Sequence, residues 1–115
     1  MFVAACAGTP VAAPSASVAK GYILAEVEVT NPEPYKEYLA VVTPMVARFG
    51  GAYIVRGGKT TTPEGAAPKG RMVVIEFPSF EAAEAFYNAP AYQAVIAKRT
   101  ANANSRLIIA EGTNP

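Results

Sequence analysis

The stretch "YILAEVEVTNPEPYKEYLA", Tyr22 to Ala40, changes its hydrophobic period halfway along, and that change decides the fold. From Tyr22 to Val29 the residues alternate, with Ile23, Ala25, Val27 and Val29 on one face and Tyr22, Leu24, Glu26 and Glu28 on the other. Such alternation predicts a strand with two unlike faces. Asn31 then offers a helix N-cap, and Pro32 is tolerated at the first helical position. Tyr35, Tyr38, Leu39, Val42, Val46 and Phe49 follow at helical spacing until Gly50-Gly51 ends the helix. Pro44 lies inside this helix and is expected to kink it.

Working outward, a second strand begins at Ala52 and a third is "RMVVIEF", Arg71–Phe77. Ser79 caps a short helix, "FEAAEAFY", ending near Asn88. Pro90 opens a further helical stretch whose inner face carries Tyr92, Val95, Ile96 and Arg99. "SRLIIAE", Ser105–Glu111, is a last strand. The order β-α-β-β-α-β predicts a ferredoxin-like α+β domain over 21–112, with a four-stranded antiparallel sheet and helices on one face. Residues 113–115 read as a tail.

Composition narrows the chemistry. The 115 residues carry 10 Lys+Arg against 9 Asp+Glu and no histidine, and all the acids are glutamate. The absence of His and Asp removes histidine-based triads, the usual zinc sites and Asp-based calcium loops, so no metal and no cofactor is expected. A net charge of +1 with scattered basic residues gives no field for a nucleic-acid backbone. "RGG" and "GGK" lack the spacing of a phosphate loop. No apolar run approaches the roughly 20 residues of a membrane span. Residues 1–20 are rich in Ala, Ser, Val and Pro with no charged side chain before Lys20, and read as a disordered tail or a truncated export leader. "SVAK" and "VAAC", the latter ending at Cys6, resemble processing sites. The compartment is cytoplasmic as the chain stands, or exported if 1–19 are a leader.

The strand parities leave one sheet face uncovered by helices. It carries Tyr22, Leu24, Glu26, Met72, Val74, Glu76, Arg106 and Ile108, too apolar to lie open to water. A second copy packed sheet to sheet, enclosing a partly wet cavity, is the expected arrangement. The hairpin "GGAYIVRGGKTTT", Gly50–Thr62, bears on that cavity. Lys59–Thr62 has strand propensity and the turn residues come only in "PEGAAPKG", so Gly57-Gly58 is expected to be a bulge within a longer hairpin. Arg56 would then stand opposite the Ile75–Glu76 region.

Arg56 and Glu76 can be read as a salt bridge fixing the hairpin, or as an anion clamp with a general base beside it. Tyr35 and Tyr38 are core or cavity wall. Tyr87, Asn88 and Tyr92 flank a helix break and pack a turn or form a polar rim. Tyr22 and Glu26 belong to the uncovered face, where Glu26 can equally be a solvated strand end. Arg99 is expected to cap helix carbonyls or pair with a glutamate.

"GYILAEVEVTNPEPYKEY", "GGAYIVRGG", "RMVVIEFPSFEAAEAFYNAPAYQ" and "SRLIIAEG" together resemble the domain-of-unknown-function 1330 family over about Gly21 to Gly112. The resemblance implies a dimeric α+β barrel and carries over Arg56, Glu76, Tyr35, Tyr38, Tyr87, Asn88 and Tyr92 as positions matching the family's motifs. The chain departs from the family pattern at Thr30-Asn31 and in "EGAAPKG". Three functions are compatible with these residues: a cofactor-free enzyme on a small polar or acidic metabolite, a non-catalytic ligand binder, and a structural dimer module.

Overall fold

The computed structural model describes residues 18–114; the reading of the first residues as a tail or leader lies outside that range up to position 17. Seven elements follow in order: β1 (Gly21–Val29), α1 (Pro32–Arg48), β2 (Ala52–Arg56), β3 (Arg71–Phe77), α2 (Phe80–Asn88), α3 (Pro90–Thr100) and β4 (Ala103–Glu111). The strands form one antiparallel sheet in the order β2-β3-β1-β4, the ferredoxin-like arrangement, with the second crossover split into two helices at Ala89-Pro90. No helix among the described residues is long and apolar enough to cross a membrane.

The alternation in β1 becomes burial. Ile23, Ala25 and Val27 are buried beneath the helices, whereas Tyr22, Leu24 and Glu26 are half-buried on the other face. Their partners across the ladders keep the same sides, because directly opposed residues in an antiparallel pair share a face. Thus Ile23 stands between Ile75 and Ile109, and Tyr22 between Glu76 and Ala110. Helix α1 buries Tyr35, Tyr38, Val42, Met45 and Val46. It closes with Gly50 at φ +80°, where the Gly50 N–H donates to the Ala47 carbonyl (3.0 Å) and the Gly51 N–H to the Val46 carbonyl (2.9 Å). Two otherwise orphaned carbonyls are satisfied by this paired arrangement, which needs a left-handed residue. Ser79 caps α2, its hydroxyl accepting from the Ala82 N–H at 3.0 Å.

Aromatic rings run through the core in sequence. Phe49 and Phe77 pack on Phe86, Phe86 on Tyr92 (4.8 Å between centroids), Tyr92 on Tyr38 and Tyr38 on Tyr35. The rings are plain phenyl at one end and phenolic at the other. The core is therefore dry beneath α2 and becomes polar between α1 and α3.

The hairpin departs from expectation. Strand β2 ends at Arg56, and residues 58–62 carry no strand. The irregularity lies earlier: Tyr53 pairs with Ile75 and Val55 with Val74, so Ile54 is the extra residue. A bulge of one residue reverses every later side chain. Arg56 consequently opposes Val73 rather than Glu76 and shares the helix-side face with Tyr53, while Glu76 opposes Ala52 and Tyr22 on the uncovered face.

Candidate functional site

A cavity of about 50 Å³ lies between the sheet and helices α1 and α3. All four strands reach it: Ile23, Ala25 and Val27 from β1, Tyr53 and Arg56 from β2, Arg71, Val73 and Ile75 from β3, and Leu107 from β4. Helix α1 adds Tyr35, Tyr38, Leu39 and Val42, α2 adds Phe86, and α3 adds Tyr92 and Arg99. This cavity lies within a single chain on the helix side of the sheet, whereas the expected one lies between two facing sheets and involves a second copy.

The polar lining is one-sided in charge. Three arginines contribute, and none of the nine glutamates in the sequence does. Arg99 is the buried member at 6 % exposure, Arg71 is half-buried and Arg56 exposed, so the three arginines run from buried to solvent-facing. Arg99 donates through Nη1 to the Ser105 hydroxyl and lies 6.0 Å from the Tyr38 ring centroid. Its Nε–H is buried and has no acceptor. The ion pairs among the described residues are Lys36–Glu33, Lys98–Glu37 and Arg106–Glu26, all distant from this guanidinium in role: none neutralises it. The expected carbonyl capping or glutamate pairing of Arg99 is therefore not its arrangement.

At the mouth, the Arg56 guanidinium sits 4.1 Å over the Tyr53 ring and donates to Thr43 Oγ1 at 3.0 Å, tying β2 to α1. Gly57 follows at φ +71°, and a Cβ there would meet the Arg71 guanidinium at 2.7 Å. The glycine turns the chain out of the strand and leaves room for Arg71 in one step.

Tyr38 and Tyr92, both buried, join their hydroxyls at 2.7 Å. Two hydroxyls bonded to one another use one of their two protons, so one O–H remains to donate elsewhere. Burial pushes the Tyr38 phenol well above its ordinary pKa, with Tyr92 adding to the effect. Burial also raises Tyr35 and Tyr53; Arg71 and Arg99 pull Tyr35 back, while a bond to Thr43 and the charge of Arg56 pull Tyr53 back. At neutral pH these groups are proton donors, not bases.

Of the residues singled out in the sequence, Arg56, Tyr35, Tyr38 and Tyr92 meet at the cavity. Glu76 does not join Arg56. Its Oε2 accepts from the Tyr22 hydroxyl at 3.2 Å on the uncovered face, because the bulge at Ile54 sends Arg56 to the other side. Glu26 pairs with Arg106 at 3.0 Å on that same uncovered face. There, Glu26, Glu28, Ala66, Ala67, Lys69, Asn104, Ser105 and Arg106 border an open groove of about 450 Å³. Tyr87 packs its ring on Tyr92 and its carbonyl accepts from Gln93 Nε2 at 2.6 Å, and Asn88 is exposed; neither lines the cavity. Three lining residues were missed as site members: Tyr53, Arg71 and Arg99. Arg71 has the parity of Val73, Ile75 and Phe77, so the alternation of β3 already pointed it inward. Tyr53 had no such signal, since the bulge beside it hides the parity of β2.

Among the described residues no group of three or more Cys, Glu, Asp or His side chains could hold a metal ion. The chain is similar in structure to a protein of unknown function from Rhodopseudomonas palustris, with 21% sequence identity, a TM-score of 0.66, and 93% of this chain and 95% of that one covered. It is also similar to SnoaB, a cofactor-independent oxygenase from Streptomyces nogalater, with 13% identity, a TM-score of 0.56, and 85% and 97% of the two chains covered. A dimeric ferredoxin-like protein of unknown function from Thermobifida fusca matches with 11% identity, a TM-score of 0.55, and 82% and 92% covered. At these identities the likeness is one of fold. No curated protein matches the sequence. The family model for the domain of unknown function DUF1330 matches residues 20–113, nearly the whole of the described chain, and the protein belongs to that family.

Proposed function

We propose that the protein binds a small organic anion in the cavity between its helices and its sheet, and does so as a homodimer. The observation that carries the reading is Arg99: a buried guanidinium with an unaccepted Nε–H, facing a cavity that no carboxylate of the chain lines. Desolvating a cation without a counter-charge costs several kcal/mol, so such a group is supported by what it binds. A titration with small acids, followed through the Arg99 Nε–H resonance, tests this. A shift specific to that resonance supports the reading, and no shift with any acid overturns it.

The dimer rests on the uncovered sheet face. Ile108 and Val55 are exposed there, beside half-buried Leu24, Met72 and Val74. A second copy of the same face would cover this surface with the closed symmetry usual for small proteins. The Thermobifida fusca protein, which shares the fold, is dimeric by its description.

A catalytic role is the second reading, favoured by the Tyr38–Tyr92 hydroxyl pair beside a guanidinium. Donors and positive charge can stabilise an anion forming on a bound molecule. SnoaB, on the same fold, is described as an oxygenase that needs no cofactor. Conversion of a bound acid, lost in Tyr92→Phe even when the acid is raised to saturate the weakened site, is the expected result; binding without conversion leaves the binder reading alone.

A further inference from the structure

We infer that the ligand is a short-chain monocarboxylate of on the order of five non-hydrogen atoms, such as propionate or butyrate, with its carboxylate on Arg99 and the Tyr38–Tyr92 pair. This rests on the proposal that the cavity holds a small organic molecule, and narrows it by size, charge and shape. The size comes from the volume. A space of about 50 Å³ accommodates roughly three to five waters, at the ~10–15 Å³ each water needs by this measure.

The charge comes from a count of donors. A guanidinium has five N–H groups and accepts nothing. Arg99 donates to Ser105 and has the Tyr38 and Tyr92 hydroxyls beside it, its Nε–H has no acceptor, and the tyrosine pair has one hydroxyl proton to spare. The buried end of the cavity is thus a surplus of donors around a positive charge. A carboxylate answers both, with two acceptor oxygens and one negative charge, and a guanidinium holds it with good geometry.

The shape comes from the apolar lining. Leu39, Val42, Val73, Ile75, Phe86 and Leu107 offer no polar side-chain atom to a ligand. A tetrahedral oxyanion would set hydrated oxygens against that lining, whereas a short hydrocarbon tail matches it. A second carboxylate has no comparable berth. Arg56 at the mouth is already engaged by Thr43 Oγ1 and the Tyr53 ring and is open to water, so its attraction for anions serves entry more than retention.

The test is a calorimetric and NMR titration of the full chain at fixed ionic strength and neutral pH, with propionate, butyrate, benzoate, propionamide and sodium phosphate as probes. The expected result is that propionate and butyrate bind at least tenfold more tightly than propionamide, their uncharged counterpart, and shift the Arg99 Nε–H resonance. Arg99→Met should weaken propionate at least tenfold. Tyr92→Phe, which keeps the ring packing, should weaken it severalfold, and so serves if the arginine variant does not fold. Equal binding of propionamide, or tighter binding of phosphate, overturns the monocarboxylate. Benzoate binding at Arg99 without propionate overturns the size while the wider small-molecule proposal stands. Silence of the Arg99 resonance to every probe overturns both.

Discussion

Replacing Arg99 with methionine should make the protein more stable and deprive it of its ligand. The guanidinium is 6 % exposed and has no carboxylate partner, and taking an ion of this kind out of water costs several kcal/mol even after relaxation. Against this stand a charge-assisted bond to the Ser105 hydroxyl, worth about 1.5–3 kcal/mol, and the Tyr38 ring at 6.0 Å, worth about 0.5–1 kcal/mol at the edge of cation–π range. Methionine keeps an unbranched apolar stem in the same space and leaves no charge behind. The Tyr38 and Tyr92 hydroxyls beside the guanidinium add to its support, so the balance favours the variant by about 1 kcal/mol, in the direction common when buried ions give way to apolar residues of similar volume. For a domain of this size each kcal/mol moves the midpoint by about 4–8 °C. Thermal and urea unfolding of the two proteins without ligand would measure the change, and excess propionate would then raise the wild-type midpoint only. A variant less stable by more than about 1 kcal/mol would refute the reasoning, because Arg99 would then be a structural keystone rather than a group held for a ligand.

Other consequences are as direct. Burial raises the phenol pKa values of Tyr35, Tyr38 and Tyr53, so the folded chain keeps protons that the unfolded chain sheds. Stability should be level up to about pH 10 and fall above it, by at most about 1.4 kcal/mol per pH unit for each tyrosine; urea melts from pH 8 to 12 on wild type and Tyr38→Phe should show a shallower fall in the variant. Gly57→Ala places a Cβ against the Arg71 guanidinium at a left-handed φ of +71°, and should cost about 1–3 kcal/mol in urea melts. Ile108→Lys, at an exposed position on the uncovered sheet face, should turn a dimer into a folded monomer by light scattering; a wild type already monomeric at micromolar concentration would remove the dimer. Glu76→Gln changes a carboxylate hydrogen-bonded to Tyr22 on that same face, so it should leave acid binding in the cavity unchanged while altering dimer affinity.

The frame of the fold was legible because its signals are periodic. The alternation of Ile23, Ala25 and Val27, the helical spacing from Tyr35 to Val46 and the Gly50 stop each survive as burial and capping in the structure. The site was legible in its tyrosines and only partly in its charges. Tyr38 and Tyr92 lie on helices, where spacing fixes the face; Arg56 lies three residues beyond Tyr53 on a strand, where parity alone would put the two on opposite faces. The extra residue at Ile54 carries no marker glycine, whereas Gly57-Gly58 attracted the bulge assignment and proves to be the strand's exit. Arg99 was visible on the inner face of α3, but the pairing rule for buried charges pointed to a glutamate of the chain. The structure instead sets its Nη1 on Ser105 and leaves its Nε–H without an acceptor.

The bulge at Ile54 also means that Arg56 faces the cavity only because one residue of β2 stays out of the ladder. Deleting Ile54 would remove the bulge and leave Tyr53, Val55 and Arg56 in simple alternation, with Tyr53 and Arg56 still on the helix side opposite Ile75 and Val73. Pairing Ile54 in register instead, with no bulge, would carry Arg56 to the face of Glu76, so the entrance would lose a cation and the uncovered face would gain one.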